Sequence, residues 1–218
     1  MKLFRQLLGA IALTSAFAAQ AGPVLVSQGF DNVGSLAGSG WTLTNGSTPV
    51  GTTGWFQGNA GVFTAQAGPD DSYIAGNFNA ADFGGNIDLN LLTPFFSLEN
   101  AVTLSFWARG AIEDPFFDTF RILANTTNGG TGQVVLVPTV FSGGWTQFVI
   151  NLAGQGAGAQ GQFTFNYFGS ADSSNYAGFD SVSISVMDQT TVPEPGSMAL
   201  LGFGIAGLAF IRRRQRPL

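Results

Sequence analysis

Cysteine and histidine are absent from the 218-residue sequence, and its only lysine is Lys2. Without these side chains the chain has no Ser-His-Asp triad, no cysteine nucleophile, no haem or iron–sulfur ligation and no ordinary zinc site. Schiff-base and P-loop chemistry have no candidate lysine either. Because disulfide bonds are impossible, any stability outside the cytoplasm has to come from packing or bound ions.

Basic residues are the next shortage, since 8 Lys and Arg stand against 13 Asp and Glu, which gives a formal charge of -5 and an isoelectric point near 4.4. Six of the eight basic residues lie at the two ends of the chain. Residues 22–192 contain only Arg109 and Arg121 beside twelve carboxylates, so this part carries a charge of -10. A nucleic-acid partner needs a Lys/Arg surface and is therefore not expected.

Residues 1–21 have the pattern of a secretory signal peptide. A basic start precedes an apolar run, and Ala19 and Ala21 form the small-x-small cleavage site. The alternative is an amphipathic helix of the domain, but the polar residues do not cluster on one helical face. We therefore expect Sec-type export, with Gly22 as the new N-terminus.

Residues 190–218 are interpreted as an anchor segment. Residues 198–211 are uncharged and mostly apolar, and an arginine cluster follows at 212–216. A helix of this length spans about 21 Å, and extending it to about 196–211 with snorkelling arginines makes a marginal transmembrane helix. The arginines stay cytoplasmic by the positive-inside rule, which places the preceding domain on the far side of the membrane. A buried amphipathic helix is the alternative.

The segment VPEPGSMALLGFGIAGLAFIRRRQRPL resembles the PEP-CTERM sorting signal of exported bacterial proteins, which combines a Pro-Glu-Pro motif, a short glycine-rich transmembrane helix and terminal arginines. The resemblance covers about residues 192–218. It implies processing by an exosortase, which recognises Pro193, Glu194 and Pro195, in Gram-negative bacteria that make exopolysaccharide. The expected location is the inner membrane, at least transiently, with a periplasmic domain and a final destination at the cell surface or in the extracellular matrix.

Residues 22–189 are predicted to form one all-β domain. Apolar residues alternate with polar ones along most of it, as in half-buried antiparallel strands, and glycine-rich turns separate the runs. This pattern predicts an antiparallel β-sandwich of jelly-roll type. The predicted strands cover 24–30, 41–44, 72–78, 87–92, 102–109, 117–124, 133–140, 145–152, 162–167 and 181–186.

A second resemblance lies in GFDN, GWTLTN, TTGWFQGN, LLTPFFSLENAVTLSFWAR and GFDSVSI. This series is similar to the choice-of-anchor J domain, which is related to cleaved-adhesin and MAM-like jelly rolls, and it spans nearly all of residues 25–187. The resemblance implies a surface module joined to an anchor, and it does not imply catalysis.

Calcium is the one cofactor that the composition favours, because hard oxygen ligands are all that the domain has in quantity. The best pair is Asp31, which ends the first predicted strand, and Asp180, which enters the last. The resemblance implies that these strands are neighbours and that a structural calcium lies there, with Asn32 and backbone carbonyls available to complete its shell. The alternative is that both carboxylates accept hydrogen bonds from turn amides.

Trp107 is the most suggestive aromatic residue, because it shares a predicted strand face with polar residues and could stack on a sugar ring. The alternative is core packing, which we expect for Trp41 and Trp145. The acidic run Glu113–Asp118 is interpreted as a solvated turn whose carboxylates pair with Arg109 and Arg121 on adjacent strands. An ion site or the carboxylate pair of a glycosidase is the alternative for this run.

Three functions follow. The first is a non-enzymatic adhesion or structural module of the cell surface or exopolysaccharide matrix. The second is a carbohydrate-binding module, which calcium could assist. The third and most remote is a glycoside hydrolase, since two carboxylates suffice for that reaction.

Overall fold

The computed structural model describes residues 22–111 and 113–187. The predicted signal peptide at 1–21 and the predicted sorting and transmembrane segment at 190–218 lie outside the described residues. In the described part of the chain, no helix is long and apolar enough to cross a membrane.

The described residues form thirteen strands and three short 3-10 helices, at Val33–Ser39, Phe78–Ala80 and Ala171–Ser173. All ten predicted strands are present, and three very short ones were not predicted because two or three residues are too few to show alternation. The strands are β1 (Val24–Gln28), β2 (Thr42–Asn45), β3 (Thr48–Val50), β4 (Phe56–Gln57), β5 (Ile74–Asn77), β6 (Ala81–Leu92), β7 (Phe96–Ser97), β8 (Val102–Gly110), β9 (Thr119–Thr126), β10 (Gly130–Val140), β11 (Thr146–Leu152), β12 (Gln160–Ser170) and β13 (Tyr176–Val186).

The strands make two antiparallel sheets. Sheet A has the order β11-β8-β13-β5-β4, with β1 also paired to β13. Sheet B has the order β10-β9-β12-β6-β2, with β3 paired to β6 and β7 to β12. The predicted all-β sandwich of two antiparallel sheets is confirmed.

The main core lies between the two sheets, and phenylalanine rings dominate it. Phe179 of sheet A contacts the ring of Phe120 at 5.3 Å and that of Phe165 at 5.1 Å, both in sheet B. Phe106 likewise meets Phe165 at 5.0 Å. Along β8 and β9 the buried residues alternate with partly exposed ones, so the period-two pattern there reports which side chains face the core. Residues 161–167 of β12, in contrast, are buried on both faces.

A second hydrophobic cluster lies on the outer face of sheet A, beneath the loop of residues 58–72. It contains Phe63, Tyr73, Ala75 and Tyr176. The ring of Tyr73 lies against the backbone of Gly58, where an added Cβ would stand 2.3 Å from it. Because this loop covers the sheet, the first half of β13 is buried on both faces, and it shows no alternation from which to predict its start at Tyr176.

The sandwich has two distinct ends. Val186 donates a backbone hydrogen bond to Pro23 at 3.0 Å, so the first and last described strands meet at one end, which we call the near end. Strand β13 runs from there through 11 residues, about 33 Å, to Tyr176 at the opposite end, which we call the far end. The turn of residues 113–118 and the 3-10 helix Ala171–Ser173 lie at the far end.

Candidate functional site

Asp31 and Asp180 both hold the loop of residues 58–72. Strand β1 pairs with β13, as the resemblance implied. The Asp180 Oδ2 atom accepts hydrogen bonds from the amides of Gln66 at 2.8 Å and Ala67 at 3.1 Å. The Asp31 Oδ1 atom accepts one from the Ser72 hydroxyl at 2.7 Å. The two predicted residues are therefore brought to one loop, which they attach to the sandwich.

Backbone strain adjoins both aspartates. Phe30 precedes Asp31 with a φ of 56°, and Ser181 follows Asp180 with a φ of 51°, a left-handed conformation that costs free energy for residues other than glycine. Burial raises the pKa of Asp180, although the amides of Ala67, Gln66 and Ser181 oppose this rise. A strained backbone persists only where the surrounding contacts hold it in place. Here those contacts are the hydrogen bonds that attach the loop of residues 58–72.

The acceptor positions of Asp180 decide whether this arrangement fits a calcium ion. Its Oδ2 atom already receives two amides, and its Oδ1 atom receives the Ser181 amide at 2.5 Å and faces the Ser181 hydroxyl at 3.4 Å. Calcium takes 6–8 oxygen ligands. Among residues 22–111 and 113–187, no group of three or more acidic side chains is placed to hold a metal. As placed, the carboxylate does not fit an ion, so the geometry favours the amide-bonded alternative, and calcium stays a prediction.

A thermal melt tests the calcium prediction. We expect the melting temperature in calcium to equal that in a chelator, because the Asp180 carboxylate already accepts three amide hydrogen bonds from the protein. A ligand that binds only the folded state must raise the melting temperature. A calcium-dependent rise that disappears in the Asp31→Asn variant would instead establish the calcium site predicted from the sequence, with Asp70→Asn as the control for a surface carboxylate in the same loop.

Asp118 differs from its predicted place in a solvated acidic turn. The turn itself is confirmed, since Glu113 and Phe116 form an isolated bridge and are exposed. Asp118, however, is only 2% exposed. Its Oδ1 atom accepts hydrogen bonds from the Tyr167 hydroxyl at 2.5 Å and the Asn175 amide at 2.9 Å, and its Oδ2 atom accepts one from the Tyr176 amide at 3.1 Å.

The environment of Asp118 has electrostatic consequences. Burial raises the pKa of the Asp118 carboxyl, against the opposing effect of the Tyr167 hydroxyl. Burial and the nearby Asp118 charge hold the pKa of Tyr167 well above its ordinary value. The sequence did contain a signal for this burial, because Asp118 is in phase with the inward residues Phe120 and Ile122 of β9.

The two arginines do not lie on adjacent strands, so that prediction is wrong. Arg109 belongs to β8 of sheet A and lies over the Phe63 ring, 4.5 Å from its centroid. Its buried Nε atom has no hydrogen-bond partner among the residues that the structure describes. Arg121 belongs to β9 of sheet B, donates from Nε to Asn166 at 2.7 Å and lies 4.8 Å from the centroid of Phe168. Each of the two arginines therefore packs against an aromatic ring.

Trp107 lies half-buried on the outer face of β8, opposite Gln147 in β11 and Asp180 in β13. Its outward direction agrees with the sequence prediction, and its role in sugar binding stays a prediction. Core packing is confirmed for Trp41, which meets Phe30 edge-on at 5.6 Å. Trp145 packs in the second cluster and donates from Nε1 to the Thr64 carbonyl at 2.8 Å.

An exposed aromatic surface lies at the far end, around Phe83, and it was not predicted from the sequence. Phe83 is 91% exposed. It lies in an irregular stretch of β6, where the register with β3 shifts between Ala81 and Asn86, and the following Gly84 has a φ of 72°. The Gly84 amide donates to Asp172 Oδ1 at 3.0 Å, and the Phe83 amide donates to Asp82 Oδ1 at 2.8 Å. An aromatic residue between Asp82 and two glycines was the only signal in the sequence.

Two adjoining cavities, which we call the far-end cleft, flank Phe83. Their volumes are 360 and 390 Å³, and they share Phe78, Phe83, Ala171 and Asp172. Large exposed apolar patches rimmed by polar residues mark interaction sites or ligand-binding grooves. The first cavity is further lined by Val50, Gly51, Thr52, Asn79, Ala81 and Asp82, and the second by Glu113, Phe116, Ser174 and Asn175.

Comparisons with known proteins concern the two parts of the chain separately. Residues 191–214 match the PEP-CTERM protein-sorting motif. The motif implies export and membrane-associated sorting to the cell surface. No curated protein matches the sequence.

The folded domain is similar to cleaved adhesin domains of Lys-gingipain from Porphyromonas gingivalis. With the K1 domain it shares 20% identity at a TM-score of 0.57, over 76% of this chain and 99% of that domain. With the K3 domain it shares 17% identity at a TM-score of 0.50, over 75% of this chain and 99% of that domain. The chain therefore carries a PEP-CTERM sorting motif and a jelly-roll-like domain with the fold of the cleaved adhesins.

Proposed function

We propose that this chain is a non-catalytic adhesion module of the bacterial cell surface or exopolysaccharide matrix, and that it binds polysaccharide in the far-end cleft. The observation that carries the proposal is Phe83, an almost fully exposed aromatic ring between two cavities. Volumes of 360 and 390 Å³ fall in the range of ligand sites, which is about 300–1,000 Å³.

The chemistry of the far-end cleft suits a sugar. Aromatic rings such as Phe78 and Phe83 offer flat apolar faces to the C–H groups of a pyranose. Asp172 and Glu113 offer carboxylate oxygens that accept hydrogen bonds from sugar hydroxyl groups. The Gly84 amide already positions the Asp172 side chain, so less conformational entropy is lost from this side chain when a ligand binds.

The sorting motif supplies the place where this module acts. The proposed route is Sec-type export, a transient anchor in the inner membrane through a helix at about 196–211, and processing by an exosortase at Pro193, Glu194 and Pro195. Residue 187 lies at the near end, and the chain continues from there toward the anchor. The far-end cleft lies at the end of the domain opposite residue 187, the last described residue before the proposed anchor.

The absence of catalysis is part of the proposal. A glycosidase needs a carboxylic acid with a raised pKa in contact with substrate. Asp118 and Asp180 do have raised pKa values, but they are 2% and 0% exposed and are bonded to the domain itself. Their burial supports a structural role for both.

Substitution of Phe83 tests the proposed function. We expect Phe83→Ala to weaken binding to the producing organism's exopolysaccharide by about ten-fold or more, because the largest exposed apolar contact is lost. The measurement is co-pelleting of the full chain with purified polysaccharide, together with a thermal melt, which we expect to be unchanged.

Two further variants serve as controls for Phe83. Phe95→Ala removes a phenylalanine that is 65% exposed at the near end, and we expect it to bind normally. Trp107→Ala tests the sequence-predicted sugar platform on sheet A. Loss of binding in Trp107→Ala with full binding in Phe83→Ala would move the site to sheet A and contradict the proposal for the far-end cleft.

A further inference from the structure

The far-end cleft is acidic as well as aromatic, and this combination limits the kinds of sugar that it can bind favourably. Asp172 and Glu113 line the cavity that Phe78, Phe83 and Phe116 also line, and Asp82 lines the adjoining one. Within the described part of the chain, none of the residues lining either cavity is basic. The two arginines of the domain lie elsewhere, over Phe63 and over Phe168.

We infer that the far-end cleft selects polysaccharides whose sugars carry free ammonium groups, that is, amino sugars without an acetyl group on nitrogen. The inference deepens the proposed function and rests on it for the ligand class. A neutral sugar would contact the phenylalanine rings and donate hydroxyl hydrogen bonds to the carboxylates, but it would leave their negative charge uncompensated, in a domain whose residues 22–192 carry a charge of -10. An ammonium group compensates that charge.

Two kinds of side chain in the far-end cleft attract an ammonium group. Cations bind favourably over aromatic faces, and the three phenylalanines supply those faces. The carboxylates are held by the domain, Asp172 by the Gly84 amide at 3.0 Å and Glu113 by the Asn175 side-chain amide at 3.4 Å. A charge pair within a partly apolar cleft is also less screened than one on open surface.

A pair of matched oligosaccharides tests the inference. The glucosamine hexamer and its fully N-acetylated form have the same backbone, and each ammonium group of the first is replaced by a neutral acetamido group in the second. We expect the full chain to bind the glucosamine hexamer about ten-fold more tightly at low salt. That advantage is expected to shrink as the salt concentration rises from about 25 to about 250 mM.

Variants assign the selectivity to the cleft. The double variant Asp172→Asn, Glu113→Gln keeps the oxygens that accept from Gly84 and Asn175, and we expect it to bind both hexamers equally. Glu99→Gln removes an exposed carboxylate near the start of β8, at the near end, and is expected to keep the selectivity. A melt of each variant separates loss of selectivity from loss of folding.

Each remaining outcome has a definite meaning. Equal affinity of the unmodified chain for both hexamers overturns the ammonium inference and leaves the proposed function standing, provided that binding depends on Phe83. Absence of Phe83-dependent binding to either hexamer and to the native exopolysaccharide overturns both. An oligolysine peptide that binds as tightly as the glucosamine hexamer, and also depends on Phe83, overturns the assignment to sugars in favour of a cationic protein segment.

Discussion

Replacing Asp118 with alanine is expected to lower the free energy of unfolding by about 3 kcal/mol, one of the two largest effects foreseen for a single substitution. The variant leaves three donors without an acceptor, namely the Tyr167 hydroxyl and the amides of Asn175 and Tyr176. Each buried polar group without a partner costs about 1–3 kcal/mol. Part of this cost is offset because the variant no longer has to bury a carboxylate.

Chemical denaturation measures this effect. Glu99→Ala, which removes an exposed carboxylate, is the matched control and is expected to change stability by no more than about 0.5 kcal/mol. Combining Asp118→Ala with Tyr167→Phe in a double-mutant cycle isolates the hydrogen bond between these two side chains. If Asp118→Ala changes the free energy of unfolding as little as Glu99→Ala does, the stabilising role assigned to the hydrogen bonds of Asp118 is wrong.

The same carboxylate makes stability depend on pH. Burial raises the pKa of Asp118 and of Asp180 above the ordinary value of 3.8, so the folded state holds these protons more tightly than the unfolded chain does. The contribution of these two protons to the free energy of unfolding is fully present below pH 3.8. It is lost as the pH rises through the folded-state pKa values. Melting temperatures are therefore expected to fall as the pH is raised across this window, and a flatter profile in Asp118→Asn would assign the effect.

Replacing Tyr73 with alanine is the second large effect, an expected loss of about 3–5 kcal/mol in the free energy of unfolding. Tyr73 is fully buried and stacks on Phe63 with ring centroids 4.9 Å apart. Its hydroxyl lies 2.9 Å from the carbonyls of Asn59 and Phe63 and 3.0 Å from the Tyr176 hydroxyl. The alanine variant removes both the ring and these bonds, so the loop of residues 58–72 loses its main attachment.

Two measurements separate the ring from the hydroxyl of Tyr73. Tyr73→Phe keeps the ring and is expected to cost about 1–3 kcal/mol, since it leaves buried polar atoms unpaired. Limited proteolysis of Tyr73→Ala is expected to cut first within residues 58–72, while Phe95→Ala shows no new cleavage there. Wild-type stability in Tyr73→Phe would contradict the assigned hydrogen bonds.

Several features of this protein were determined by local sequence alone. Alternating residues such as Val102, Leu104 and Phe106 predicted the strands, because side chains in a strand point to opposite faces with a period of two. The composition excluded most catalytic chemistry, since the residue types it requires are missing. The sorting motif is contiguous in the chain and could therefore be identified without any fold.

Tertiary structure alone decided how residues from distant segments meet. Phe83, Glu113 and Asp172 form one cleft only because β6, the turn after β8 and the end of β12 reach the same end of the sandwich. The burial of Asp118 likewise depends on Tyr167 and on the start of β13. Local periodicity reports which face of a strand is buried, whereas a site built from several strand ends depends on pairing and packing between the sheets, which only the folded chain specifies.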